Sequence, residues 1–430
     1  MNWVGCTPHH KMIIGAAQID VTPPFAPAEP IELSGYAARV QPAVGVLDPI
    51  FVRAIFLQDG DQRLLWLAAD VIALPAAFVT SFRDWADDEL HLTPGQLLLC
   101  ATHTHAAPAT ISLTGCGACS DAFMSRLLNG VQRAARDAMA HTEPCKVKLV
   151  QRELVLAIDR RGGASAHADP IVTALGFVRD DGSFIAACLN YAMHPVAFSH
   201  DNRHISADWT GYASAALRDA LPGKPMVMVS NGACGNINPP FQTTHVEEVR
   251  ALGEQVAHAV AQPLIDVKAS DENLRLAYRT VPLPLETLSP AEIDAAAADA
   301  ARDGGTLDSN WQRALNAAID TWRQSARFAP RHIPIDLLAA RISPITMLAI
   351  NGEMFSRFTA IVRRKINAPL FVVAYANAAF GYIPTREAYA EGGYEVERAH
   401  FFYNSPRPRI GGLEMLADHA AELIATLRSR

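Results

Sequence analysis

The chain alternates between long apolar runs and segments with helical periodicity. The apolar runs, rich in branched residues, include RLLWLAADVIAL, QLLLCATH, SFIAACLNYAMH, PMVMVSNG, ITMLAINGE and PLFVVAYANAAF. Such continuous runs are typical of strands that are covered on both faces. Helical patterns such as AAFVTSFRDWADDEL and WTGYASAALRDAL lie between some of them. The alternation predicts an α/β fold of mixed α+β character, with a mixed multi-stranded sheet core and flanking helices.

Residues 289–327 depart from this alternation. The segment is rich in alanine, begins with SPAE, breaks at DGG and resumes a helical pattern, which predicts a helical hairpin inserted between strands. Two interpretations stay open: a cap over a pocket, or a surface excursion that only packs on the core. We expect the whole of residues 1–430 to form a single catalytic domain, closed by an amphipathic helix. We expect no C-terminal immunoglobulin-like domain.

Composition narrows the class of protein. The chain has 430 residues, half of them hydrophobic, and a formal net charge of −7. It shows no basic block that would bind nucleic acid and no apolar run near the roughly 20 residues that cross a bilayer. We therefore expect a small-molecule substrate, no nucleic-acid partner and no stable membrane insertion. The oligomeric state stays open, a homo-oligomer included.

The start of the chain and the cysteines bear on its location. The first residues lack the charged leader, apolar core and cleavage site of a signal peptide. The seven cysteines are an odd number, which favours free buried thiols in a reducing cytosol. A single CxxC pair, Cys116 and Cys119, is weak evidence for metal or redox chemistry. We expect a cytoplasmic protein.

Potential metal ligands occur where apolar runs end. They are His103, His105, His194, Glu353 and Tyr382. The α/β sheets commonly bind their ligands just beyond the carboxyl ends of the strands. Two histidines together with one glutamate are a familiar set of ligands for a catalytic zinc ion. A lone histidine after an apolar run is more often a hydrogen-bonded structural residue. The two interpretations stay open at this point.

The stretch SNGACGNINPP, Ser230 to Pro240, follows the apolar run MVMV. Its glycines and prolines predict a tight, ordered loop with exposed amides. Such a loop either holds an oxyanion or a nucleophile, or forms a structural turn between a strand and a helix.

Ten segments follow one another in a distinctive order. They are IDVTPP, LSGYAAR, GVLDPIFVRAIFL, LAADV, CATHTHAAP, AIDRRGG, LNYAMHPV, ISADWTGYAS, GEMFSRF and GYIPTREAYAEGGYE. In this order they resemble the catalytic domain of the neutral/alkaline non-lysosomal ceramidase family, over nearly the whole chain. No single motif is decisive, but the ordered set is highly specific.

The resemblance implies one zinc ion held by His103, His194, Glu353 and Tyr382. A phenol has an ordinary pKa near 10, and bound zinc would lower it enough for a phenolate ligand.

The resemblance also implies several catalytic residues. Tyr394 corresponds to the family tyrosine near the reacting carbonyl, and His105 and Arg160 correspond to residues that contact the substrate. Asp208 corresponds to the aspartate of the family's GDN segment.

Two positions depart from the family pattern. The family's nucleophilic serine is replaced by Asn238, and an aspartate of the same segment is replaced by Asn236. An amide cannot act as an alkoxide or a general base, but it can donate a hydrogen bond to an oxyanion or orient a substrate.

The sequence therefore predicts a zinc-dependent hydrolase of an amide (N-acyl) or related C–N or ester bond, with attack by zinc-activated water. His105 or Asp208 would move the proton. Tyr394, Arg160 and the Asn236/Asn238 loop would hold the carbonyl. Ceramide itself is compatible with this scheme but is not favoured. The alternatives are a metal-dependent lyase or isomerase and a catalytically silent ligand-binding relative.

Overall fold

The computed structural model describes residues 11–25, 29–163, 166–302, 309–342 and 344–427. Its strands are β1 (Ile13–Asp20), β2 (Gly45–Val46), β3 (Phe51–Asp59), β4 (Gln62–Ala69), β5 (Leu97–Ala101), β6 (Thr142–Pro144), β7 (Lys146–Glu153), β8 (Ile158–Asp159), β9 (Ile171–Val178), β10 (Phe184–Tyr191), β11 (His204–Ile205), β12 (Met226–Asn231), β13 (Ile237–Asn238), β14 (Leu274–Pro284), β15 (His332–Ile342), β16 (Ile345–Ile350), β17 (Glu353–Met354), β18 (Leu370–Val373) and β19 (Tyr382–Ile383).

Helices connect and cover these strands. They are α1 (Ala76–Leu90), α2 (Asp121–Ala140), α3 (Asp208–Ala220), α4 (Val246–Asp266), α5 (Pro290–Arg302), α6 (Ser309–Ser325), α7 (Arg357–Ile366), α8 (Arg386–Glu391), α9 (Tyr394–Glu397), α10 (Ala399–Phe402) and α11 (Gly412–Thr426). The predicted mixed α/β class is confirmed.

Three larger sheets form the core. Their strand orders are β5-β4-β3-β1-β6, β12-β10-β9-β7 and β14-β15-β16-β18. Most neighbouring strands are antiparallel, but each sheet also holds a parallel pair: β4 with β5, β10 with β12, and β16 with β18. The two strands of a parallel pair end at the same edge of their sheet, so the residues that follow them emerge together.

Strand β3 shows why the apolar runs are continuous. Ala54 and Phe56 belong to the core between the first two sheets and helices α1 to α4. Ile55 and Leu57 point the other way, into a second core shared by strands of all three sheets. Because both faces are buried there, the consecutive residues from Ala54 to Leu57 are all apolar.

The helices lie on the outer faces of the sheets. Helix α2 packs on the first sheet, α3 and α4 on the second, and α11 on the third, with α7 beside α11. The predicted helical hairpin is present as α5 and α6, although residues 303–308 between them lie outside the described part of the chain. A separate apolar cluster holds this hairpin on the core.

Two further expectations concern membrane-spanning helices and the state of the cysteines. None of the helices described is both long and apolar enough to cross a bilayer. The cysteines Cys100, Cys116, Cys119, Cys145, Cys188 and Cys234 are free thiols, while Cys6 lies outside the described residues.

Candidate active site

Three of the predicted metal ligands lie just beyond the ends of strands that belong to the parallel pairs. His103 follows β5 by two residues, and His194 follows β10 by three. Glu353 follows β16 by three residues and begins β17, where its backbone pairs with that of Tyr382 in β19. Side chains from three sheets therefore meet at one place.

The two buried imidazoles face each other through their Nε2 atoms. Nδ1 of His103 lies 2.6 Å from the carbonyl oxygen of Ile72, and Nδ1 of His194 lies 2.9 Å from that of Cys234. A carbonyl oxygen only accepts, so each Nδ1 carries a proton and donates it; in its neutral form each ring then has its lone pair on Nε2. The two Nε2 atoms are 3.0 Å apart. Two lone pairs at this distance repel unless a proton or a metal cation lies between them.

Glu353 completes this arrangement. Its Oε2 lies 3.3 Å from Nε2 of His103 and 3.5 Å from Nε2 of His194. This oxygen is buried and accepts no hydrogen bond within the described structure, while Oε1 accepts one from the hydroxyl of Tyr403. A buried, unpaired carboxylate oxygen is costly, and here it points at the two imidazoles.

The spacing of these three atoms fits a zinc ion. Zinc bound tetrahedrally at about 2.0–2.1 Å keeps its ligand atoms about 3.3 Å apart. The three observed separations are 3.0, 3.3 and 3.5 Å. A shared proton would satisfy one pair of atoms, whereas one cation satisfies all three.

His105 lies beside the cluster. Its Nε2 is 3.3 Å from Nε2 of His103, and His103, His105 and His194 together could hold a metal ion. Burial and the neighbouring His103 lower the pKa of His105 well below 6.5. Gly35 allows this close packing, because a Cβ there would lie 2.3 Å from Nδ1 of His105.

Tyr382 lies at the edge of the cluster. Its hydroxyl is 3.4 Å from Nη2 of Arg160. Burial and the charge of Glu353 raise the pKa of Tyr382 well above 10, so the protein alone keeps this hydroxyl protonated. Its role as a fourth metal ligand stays a prediction.

Arg160 is fixed by hydrogen bonds on every side of its guanidinium group. Nε donates to Oε1 of Glu395 at 2.7 Å, Nη1 to Oδ1 of Asn238 at 2.9 Å, and Nη2 to the carbonyl oxygen of Gly235 at 2.6 Å. Glu395 also pairs with Arg161 at 2.5 Å. The charge of Arg160 is therefore held rigidly next to the predicted ligands.

Asn238 and Asn236 occupy different environments. Because Oδ1 of Asn238 accepts from Arg160, its Nδ2 is left as a donor on the pocket side. Both polar atoms of the Asn236 side chain form hydrogen bonds within the protein. Nδ2 donates to Oδ2 of Asp159 at 2.6 Å, and Oδ1 accepts from the backbone N–H of Ser356 at 2.9 Å. Only Asn238 of this pair lines the pocket.

Asp208 organises the backbone after His194. Its carboxylate accepts hydrogen bonds from the backbone N–H groups of Phe198 at 2.9 Å and Trp209 at 2.6 Å. Burial raises the pKa of Asp208 to about 7. It is not among the described residues that line the pocket, so it supports the site through these backbone hydrogen bonds.

A pocket of about 420 Å³ opens onto the cluster. It brings together most of the predicted site residues, namely His105, Arg160, His194, Asn238, Tyr382 and Tyr394. Cys116 of the CxxC pair also lines it, as do residues that the sequence did not single out, among them Tyr36, His200, Gln242, Trp311 and Phe402. The pocket has polar groups around the imidazoles and aromatic rings at Trp311 and Phe402.

Two more residues that the sequence did not single out support the ligands. The ring of Tyr375 stacks on His103 with centroids 3.9 Å apart, and Tyr403 donates to Glu353. Tyr375 also has a positive φ of 54°, as His103 does at 69°. A left-handed backbone is uncommon for such residues and costs free energy, so the surrounding packing must enforce it.

Comparisons with known proteins agree with this architecture. The family model described as neutral/alkaline non-lysosomal ceramidase, N-terminal, matches residues 12–234, which is more than half of the chain. The crystal structure of neutral ceramidase from Pseudomonas aeruginosa superposes with a TM-score of 0.72 at 17% identity, over 97% of this chain and 75% of that one. A ceramidase complexed with C2 gives a TM-score of 0.73 at 17% identity, over 97% of this chain and 76% of that one. At 17% identity the two solved structures show only that the fold is shared. Membership of the family rests on the match to the family model. The chain belongs to the neutral/alkaline non-lysosomal ceramidase family.

Proposed function

We propose that this protein is a zinc-dependent hydrolase of N-acyl (amide) bonds. Membership of the ceramidase family and the matching fold support amide hydrolysis. The proposed zinc ligands are His103, His194 and Glu353, with Tyr382 as the fourth. Ceramide is one substrate to test within a wider class of N-acyl compounds.

One observation carries the metal assignment: the Nε2 atoms of His103 and His194 converge with the unpaired Oε2 of Glu353 at the spacing of a zinc site. Both imidazoles are held with Nδ1 as the donor, an arrangement that commonly orients zinc-binding histidines. A zinc ion at such a site supplies a Lewis acid that polarises a carbonyl and makes water a nucleophile near neutral pH.

The residues of the chain then have separate roles. His105 is neutral at pH 7 and borders the pocket, so it is suited to accept a proton from the attacking water and deliver it to the leaving nitrogen. Arg160 supplies a fixed positive charge for the developing oxyanion. Nδ2 of Asn238 and the hydroxyl of Tyr394 are the remaining donors for the carbonyl oxygen.

Asp208 has a supporting role in this proposal. Its hydrogen bonds to backbone amides fix the turn that carries His194, and it does not border the pocket. We therefore assign proton transfer to His105 alone.

The test is metal content measured by plasma mass spectrometry, together with hydrolysis of a panel of N-acyl and ester substrates. We expect about one zinc ion per chain in the wild type, and loss of zinc in both His103→Ala and His194→Ala. The exposed His258 on α4 provides the matched control, because His258→Ala should keep both zinc and activity. Full zinc content and full activity in His103→Ala would contradict the proposal.

A further inference from the structure

A chain of aromatic rings leads from the cluster to the inserted hairpin. The centroids of Tyr382 and Tyr394 are 6.0 Å apart, those of Tyr394 and Phe402 are 6.4 Å apart, and those of Phe402 and Trp311 are 5.8 Å apart. Tyr382 lies next to Arg160 at the reacting end, and Trp311 lies on α6 at the other end. The hairpin therefore contributes to the wall of the pocket as well as packing on the core.

Helix α6 is anchored independently of Trp311. Leu315, Ile319 and Trp322 are buried in the cluster that joins the hairpin to Phe401 and Phe402. The rings of Trp322 and Phe401 lie 4.9 Å apart in an edge-to-face contact. These contacts fix the helix, so Trp311, which is only partly buried, stands at a defined place in the wall.

The two ends of the pocket differ in chemistry. Around the imidazoles, Arg160 and Asn238 offer hydrogen bonds to a polar group, whereas Phe402 and Trp311 contribute aromatic surface. The volume of about 420 Å³ lies in the lower half of the range for small-molecule sites. At about 30 Å³ per water-sized group, such a space holds one apolar chain or ring attached to an amide, and it is too small to enclose two long alkyl chains.

We propose that Trp311 is a specificity-determining residue that closes the apolar end of this pocket, and that the preferred substrates carry a single acyl or aryl group whose length Trp311 limits. This inference rests on the proposed function, since it assumes that the scissile amide lies at the imidazole cluster. It gives the inserted hairpin a role in substrate selection.

The experiment measures binding of straight-chain carboxylic acids from acetate to palmitate to the zinc-loaded protein by calorimetry. In the wild type, affinity should rise roughly fourfold per added methylene. It should then fall once the chain meets Trp311, at or before myristate, because about 420 Å³ holds roughly fourteen water-sized groups. In Trp311→Ala this limit should move to longer acids by two methylenes or more, and in Trp311→Phe by less. Arg313→Ala, an exposed change on the same helix, should leave the limit unchanged.

The outcomes separate this inference from the proposed function. An unchanged limit in Trp311→Ala, or affinity in the wild type that still rises from myristate to palmitate, overturns the role of Trp311. If Trp311→Ala does not fold, Trp311→Phe decides by the same criterion. Acid binding with the expected profile but without hydrolysis of any N-acyl compound would overturn the proposed function and leave the pocket assignment standing.

Discussion

Replacing Tyr403 by phenylalanine removes one hydroxyl group and keeps the aromatic ring. In the wild type this hydroxyl donates a hydrogen bond to Oε1 of Glu353. Burial and the charge of Glu353 raise the pKa of Tyr403 well above 10, so the hydroxyl remains protonated and a donor near neutral pH. The bond holds the carboxylate so that Oε2 faces the two imidazoles.

The magnitude follows from the kind of bond that is lost. A hydrogen bond to a charged group contributes about 1.5–3 kcal/mol, and losing such a partner of a metal ligand typically weakens metal binding by about 10–100-fold. We therefore expect Tyr403→Phe to raise the zinc dissociation constant by about 10–100-fold.

Competition with a chromophoric chelator measures this constant. Tyr389→Phe is the matched control, because its hydroxyl donates to the carbonyl oxygen of Pro408 at 2.6 Å and makes no contact with Glu353. This control should lose some thermal stability and keep its zinc affinity. Equal zinc affinity in Tyr403→Phe and the wild type, or equal losses in both variants, would refute the reasoning.

Two further predictions concern pH and the pocket. Burial of the imidazole and, to a smaller extent, the positive charge of Arg407 lower the pKa of His400 to about 3. Between pH 6.5 and 3 the unfolded chain binds a proton there that the folded protein does not, so stability decreases as the pH falls, by about 1.4 kcal/mol per unit. Thermal melts of His400→Phe should show a shallower decrease; parallel curves would contradict this. Asn238→Asp replaces the Nδ2 donor with a carboxylate oxygen that still pairs with Arg160, so kcat should fall about 10²–10³-fold with zinc content unchanged. Wild-type turnover would remove Asn238 from the mechanism.

Local patterns in the sequence identify the elements well where one signal dominates. The predicted helix AAFVTSFRDWADDEL coincides with α1, and the 289–327 segment holds α5 and α6. By contrast, β14 and β15 pair over their full length of 11 residues, yet they were not among the strands that the apolar runs indicated. Strand β14 is half-buried over much of its length and contains Pro282 and Pro284, which weaken a strand signal.

The same difference, between residues with a strong local signal and residues without one, applies to the site. His103, His194 and Glu353 could be found because each follows an apolar run and is a metal-binding residue type. Tyr403 and Trp311 carry no such local signal, because each acts through a contact with a residue far away in the chain. Asp208 was found as a motif position, but its hydrogen bonds to backbone amides became evident only in three dimensions.

The distribution of the proposed ligands over three sheets determines when the site exists during synthesis. About 160 residues separate His194 from Glu353. A ribosome that adds 5–20 residues per second needs roughly 8–30 s to cover that distance. During this interval the two histidines have been made but the carboxylate has not, and the third sheet that positions it is incomplete, since β18 is made after Glu353. The complete ligand set therefore forms only after most of the chain has left the ribosome, so zinc capture would mark the completion of folding and cannot guide its first steps.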